Sequence, residues 1–164
     1  MKYIGNYFEW MNPSWINLLD SSKGQPRPQE WPLINSLEED YYKDFEKIGY
    51  KTNQTLWTVY EKYDIQLEIT PPWTNGLVHW WFVKMSPGQF MPIHSDPHTH
   101  DQECNRYWMP LQDYSTGHVF IINDKLITDY RAGDVFKFDD AQDIHGAANI
   151  GFNPRYTFLV TEYL

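Results

Sequence analysis

The chain has 164 residues and carries 22 acidic against 13 basic side chains, a net charge of −9. That length suits one domain with a substantial core and is short for two, and an acidic balance with no basic run speaks against nucleic acid as a partner. The single cysteine, Cys104, excludes an intramolecular disulfide framework and fits a reducing compartment.

Residues Met1 to Asn6 lack the basic-then-apolar pattern of a secretory leader, and no apolar run approaches a membrane span, so a cytoplasmic protein with no membrane partner is expected. From Asn12 to Pro32 the chain is interrupted by Pro13, Gly24, Pro26, Pro28 and Pro32 and reads as an irregular covering arm. Residues 33–48 place Leu33, Ile34, Leu37, Tyr41, Phe45 and Ile48 at spacings of three and four among acidic and basic residues, which predicts an amphipathic helix. Residues 56–69 read as a helix or strand bracing a sheet.

After the turn-rich run from Pro71 to Gly76 the strands begin. Val78 to Met85 is almost wholly β-forming, and Arg106–Leu111, Gly117–Ile122, Lys125–Tyr130, Asp134–Phe138 and Tyr156–Tyr163 follow as short strands. Asn123-Asp124 marks a tight hairpin and Arg131-Ala132-Gly133-Asp134 a second turn. Many short strands at close spacing predict a mainly β sandwich or barrel. The aromatic content of 18%, with eight tryptophans, suits half-buried sheet faces; Trp80, Trp81 and Trp108 are candidates for core or for a pocket wall.

The chemistry concentrates in His94-Ser95-Asp96, His145 and Arg155. On a strand, residues i and i+2 share a face, so His94 and Asp96 would enter one cavity, and His145, 49 residues on, leaves room for strands to run out and return with a third ligand. Two histidines and one carboxylate leave the opposite face of a metal open, as in non-haem Fe(II) oxygenases. Arg155 opens a predicted strand and could hold a carboxylate bidentately. His98, His100 and Asp101 are a rival set, but Pro97 ends the strand before them. Asp139, Asp140 and Asp143 lack the spacing of a calcium loop and read as turn formers or as acceptors orienting a ligand histidine. Arg106 is either a surface cation or a second carboxylate anchor, and His118 is equally open.

Pro92-Ile93-His94-Ser95-Asp96-Pro97, Asn105-Arg106 before Pro110-Leu111, the run from Ala132 to Asp140, and His145 through Asn149 to Arg155 resemble, in that order, the 2-oxoglutarate and Fe(II)-dependent dioxygenases, in their aspartyl/asparaginyl and prolyl hydroxylase-like branch. The resemblance covers under half the chain. It implies a double-stranded β-helix (jelly roll) with an N-terminal helical brace, arranged as a single oxygenase domain over 1–164: an N-terminal loop and helix region over 1–76 and a metal-binding β core over 77–164. It implies His94, Asp96 and His145 as iron ligands, Arg155 as the partner of the distal carboxylate of 2-oxoglutarate, and Fe(II), 2-oxoglutarate and O2 as the cofactor set. Trp108 departs from the branch, which often has a histidine there, so the chemistry transfers further than the substrate does. The expected activity is hydroxylation of an amino-acid or peptidyl side chain, on a small-molecule or peptide substrate whose carboxylate Arg106 would meet. The alternatives are a cupin-like metal dioxygenase that does not use 2-oxoglutarate, from which Arg155 discriminates, and a non-enzymatic jelly-roll binding module.

Overall fold

The computed structural model describes residues 1–21, 58–61, 69–95 and 103–164. Its strands are β1 (Lys2–Asn6), β2 (Thr58–Glu61), β3 (Leu77–Met85), β4 (Phe90–His94), β5 (Cys104–Pro110), β6 (His118–Ile122), β7 (Lys125–Leu126), β8 (Asp134–Lys137), β9 (His145–Asn149) and β10 (Arg155–Tyr163). They form two antiparallel sheets, one of six strands in the order β1-β8-β5-β10-β3-β2 and one of four in the order β4-β9-β6-β7. The sheets face each other as a double-stranded β-helix.

Strand alternation decides what lies between the sheets. On β10, Leu159 points inward with Trp108 of β5 opposite it, and packs with Met85, Phe120, Ile122, Phe138 and Ala147 in the inter-sheet core. The neighbouring residues Phe158 and Val160 point outward, where they join Trp80, Phe82, Tyr107 and Met109 in a second core. That outer core is closed by the N-terminal segment. A helix, α1 (Ser14–Ser21), lays Trp15 and Leu19 on the sheet, the Trp15 ring 5.2 Å from Phe82 and 5.7 Å from Phe158. Asp20 anchors its end by accepting from Lys84 Nζ (2.5 Å) and Tyr156 Oη (2.6 Å).

The sequence reading of an irregular arm over 12–32 is therefore corrected at residues 14–21, since ten residues between Pro13 and Gly24 leave room for two helical turns. The 1–76 region also holds strands: β1 pairs with β8 and completes an edge of the larger sheet. The predicted amphipathic helix at 33–48 lies outside the described residues, and of 56–69 the strand β2 is described. Lys125–Tyr130 shrinks to the two residues of β7, because Asp129 adopts φ 61°, outside the extended region. The hairpin before it stands as predicted, with Asn123 at φ 46° and Asp124 at φ 62°, the left-handed pair of a type I′ turn. His145 opens β9, whose small residues read poorly as a strand but fit beneath bulky neighbours.

Candidate metal and carboxylate site

His94 ends β4 and His145 begins β9, and the two are direct cross-strand partners. Both are buried, and their ring centroids lie 4.4 Å apart. The same level of the sheet carries Ile122 of β6 opposite His145, so the pair faces the inter-sheet core. His145 is oriented from its other side, where Nδ1–H donates to the carbonyl oxygen of Asp143 at 2.9 Å, which assigns the ring's lone pair to Nε2. The Asp143 carboxylate builds the turn itself, accepting from the backbone N–H of Asp139 (2.9 Å) and Asp140 (3.1 Å) and from Asn123 Nδ2 (2.6 Å). These bonds hold Asp143 below the usual carboxylate range although burial opposes them.

Burial pushes His145 well below the ordinary imidazole range, and the charges of Arg106 and His94 add to the shift. A neutral imidazole is the form that binds a metal. The two rings lie close enough that both could reach one ion. Asp96, the predicted third ligand, lies outside the described residues, as do His98, His100 and Asp101. Among the described residues no group of three His, Cys, Asp or Glu side chains gathers.

Two buried guanidinium groups share this interior with the histidine pair. Arg106, 2% exposed, sits inward on β5 with its Cζ 5.0 Å from the Phe138 ring centroid, and the His145 ring lies 5.3 Å from that same ring. Its Cζ is also 5.8 Å from the Trp81 ring. The reading of Arg106 as a surface cation is thereby set aside. Arg155, 3% exposed, has its Cζ 5.7 Å from the Phe120 ring, which lies 6.4 Å from His145. Trp108 stacks on Phe120 at 4.5 Å and meets Tyr130 edge-on at 5.1 Å, so it belongs to the inter-sheet core. Trp80 belongs to the outer core, and Trp81 lies inward beside Arg106.

Arg155 holds one hydrogen bond, to the Tyr130 side chain, while burial presses its pKa down from the guanidinium value. Its Nε and Nη2 have no hydrogen-bond partner among the described residues. Those two N–H groups share one edge of the guanidinium plane and match the two oxygens of a carboxylate. Nearby, Trp108 Nε1 and His118 Nδ1 are also buried without a described partner. His118 is fixed through Nε2, 3.1 Å from the Asn153 carbonyl oxygen, and burial lowers its pKa. Asn149, fully buried, ties this end together: its Nδ2 donates to the carbonyl oxygens of Met85 and Asn153, each at 2.8 Å, and its Oδ1 accepts from Gly151 N–H at 3.1 Å. Tyr130 and Asn149 carry no sequence signal that would have assigned them these positions. A cavity of about 400 Å³ beside Lys2, Trp73 and Lys137 contains neither histidine nor Arg155.

No family model matches the chain, and no curated protein does. Among solved structures, it is similar to the cupin domain of Schizosaccharomyces pombe Cnp3 at 12% identity, over 68% of this chain and 67% of that one, with a TM-score of 0.45. It is similar to a Cupin_2 domain of an XRE family transcriptional regulator from Enterobacter cloacae at 13% identity, over 66% of this chain and 98% of that one, with a TM-score of 0.47. A predicted oxalate decarboxylase from Thermotoga maritima is 22% identical over 52% of this chain and 66% of its own length, with a TM-score of 0.40.

Proposed function

We propose that the protein is a 2-oxoglutarate-dependent Fe(II) oxygenase that hydroxylates an amino-acid or peptidyl side chain. The observation that carries this reading is the Arg155 edge: two buried nitrogen donors with no hydrogen-bond partner among the described residues, one aromatic side chain away from the buried His145 of the histidine pair. A buried cation left without an anion is costly, and a carboxylate co-substrate supplies the anion.

His94 and His145, with Asp96, would hold the metal. Fe(II), when bound with 2-oxoglutarate, supplies O2 activation coupled to loss of CO2, so that one oxygen atom enters succinate and the other the substrate C–H bond. The chain's own residues do the rest. Arg155 grips the remote carboxylate and fixes which end of the co-substrate faces the histidines. Asp143 holds the His145 ring in one tautomer. Phe120, Phe138 and Ile122, packed around His145, keep bulk water from its side of the metal. Arg106 points into the same interior, where its guanidinium could meet a carboxylate of the substrate.

Anaerobic titration with Fe(II) and 2-oxoglutarate tests the reading without knowledge of the substrate. A weak visible charge-transfer band is expected when both are present and is lost in His145→Ala. Arg155→Gln should keep Fe(II) affinity and weaken 2-oxoglutarate binding by about 2 to 5 kcal/mol, roughly 30-fold or more. Metal binding with no response to 2-oxoglutarate would overturn the reading in favour of a cupin-like dioxygenase. Succinate release across amino acids, peptides, nucleotides and sugars then tests the substrate class, and turnover confined to nucleotides or sugars would discard the amino-acyl part.

A further inference from the structure

The outer face of the four-stranded sheet is built differently from the rest of the surface. Cross-strand pairing places Phe90, Ala148 and Val119 in one row, and Gly146, Ile121 and Leu126 in the next. Ile93 closes the second row, its Cδ1 2.8 Å from where a Cβ on Gly146 would stand. The residues opposite these in the alternation, Phe120, Ile122, Ala147 and His145, are buried in the interior, so both rows face out. Among the strand residues of this sheet Lys125 alone carries a formal charge, and its pairing with inward Ile122 turns it to the other face, in a chain with 21% charged residues.

Exposure is concentrated there too. Of the ten large apolar side chains exposed among the described residues, six lie on this sheet or on the turns bounding it: Phe90, Ile93, Leu126, Ile144, Ile150 and Phe152, the last at 99%. With about 150 to 250 Å² on an aromatic side chain and somewhat less on Ile or Leu, their exposed fractions amount to roughly 600 Å². Summed, that reaches the upper end of the roughly 300 to 600 Å² found for the largest apolar patch on a typical monomer. A standard interface removes about 800 Å² per partner, so this face with its rim is large enough for one.

We infer that the outer face of the β4-β9-β6-β7 sheet is the contact between two copies of this chain, packed sheet against sheet about a two-fold axis. The absence of charge favours a second copy over a different partner. A face with no charged group has nothing that needs an opposite sign across from it, so it is complementary to itself, as a two-fold contact requires. Elsewhere the net charge of −9 makes two copies repel. Gly146 and Ala148 keep the middle of the face low, which lets the flanking Phe90, Ile93 and Leu126 of each copy interlock. Nothing in this contact depends on metal or on 2-oxoglutarate, so the inference stands apart from the proposed activity.

Light scattering on the eluted protein at micromolar concentration tests it. The expected mass is twice 19.7 kDa. Leu126→Glu with Phe152→Glu changes two exposed side chains, should leave the far-UV circular dichroism unaltered, and should return the mass to that of one chain. Leu77→Glu, equally exposed but on β3 of the other sheet, should leave the doubled mass intact. A wild-type protein with the mass of one chain, a Leu126→Glu/Phe152→Glu variant that keeps the doubled mass, or dissociation by Leu77→Glu would each overturn the inference.

Discussion

Replacing Arg155 with Met should make the ligand-free protein more stable, the opposite of what loss of a structural residue does. The guanidinium is 3% exposed, and two of its N–H groups lack partners among the described residues. A buried donor left unsatisfied costs about 1 to 3 kcal/mol, and the one bond to Tyr130, being charged, returns about 1.5 to 3. Met fills nearly the same volume without donors, and exchanging buried charge for packed apolar atoms is neutral or stabilising by about 1 to 4 kcal/mol. The expected net gain is about 1 to 3 kcal/mol, or roughly 3 to 8 °C in Tm for a chain of this size. Calorimetry on metal-free protein in a buffer without carboxylates measures it. Saturating Fe(II) and 2-oxoglutarate should then raise the wild-type Tm and leave that of Arg155→Met near its Fe(II)-only value. A fall of several degrees in ligand-free Arg155→Met would show the guanidinium to be satisfied by the protein itself, and the carboxylate reading would lose its basis.

Glu162 accepts from the Asn75 and Gly76 backbone N–H groups (2.7 and 3.2 Å), from Asn105 Nδ2 (3.0 Å) and from Tyr107 Oη (2.8 Å). These bonds hold its carboxyl below the ordinary value against the opposing effect of burial. Its stabilisation is therefore present above the unfolded value of about 4.3 and is lost as pH falls through the lower folded value; urea unfolding of Glu162→Gln across acidic pH should lack that part of the decline. Gly117→Ala should cost about 3 kcal/mol or more, because a Cβ there would stand 2.4 Å from the Gly151 backbone and φ is +96°. A urea midpoint close to wild type would contradict the tight crossing of the 115–118 and 150–153 connections.

Where aromatic and β-branched residues alternate, as over Leu77–Met85 and Arg155–Tyr163, the strands were legible within one residue of their ends. β9 was not, because Gly146, Ala147 and Ala148 carry little strand preference of their own. They are small for a tertiary reason: Ala147 faces Phe120 across the pair, and a Cβ on Gly146 would meet Ile93. The helix α1 was hidden by the prolines and glycine around it, although Trp15 and Leu19 at i and i+4 are the face it buries. In the site, motif spacing pointed to His94 and His145, and strand pairing explains their meeting. It could not reveal that Tyr130 holds Arg155, nor that the rings of Phe120 and Phe138, both beside His145, carry the two guanidinium groups. Those contacts join residues far apart in sequence, through a core whose packing no local pattern encodes.

The position of β10 also governs the order in which the molecule can assemble. It lies in the middle of the larger sheet, paired over nine residues with β3 on one side and over seven with β5 on the other. During synthesis it emerges after both neighbours, so until residues 155–163 clear the ribosome the sheet exists as two halves with open edges. Each open edge offers unpaired backbone groups to other nascent chains. One late strand then closes both edges and brings Arg155 into the interior in the same event, so the burial of that guanidinium and the finished sheet arise together. A chain stopped short of residue 155 would lose the joint between the two halves as well as Arg155, and an aggregated product, not a soluble inactive one, is its natural fate.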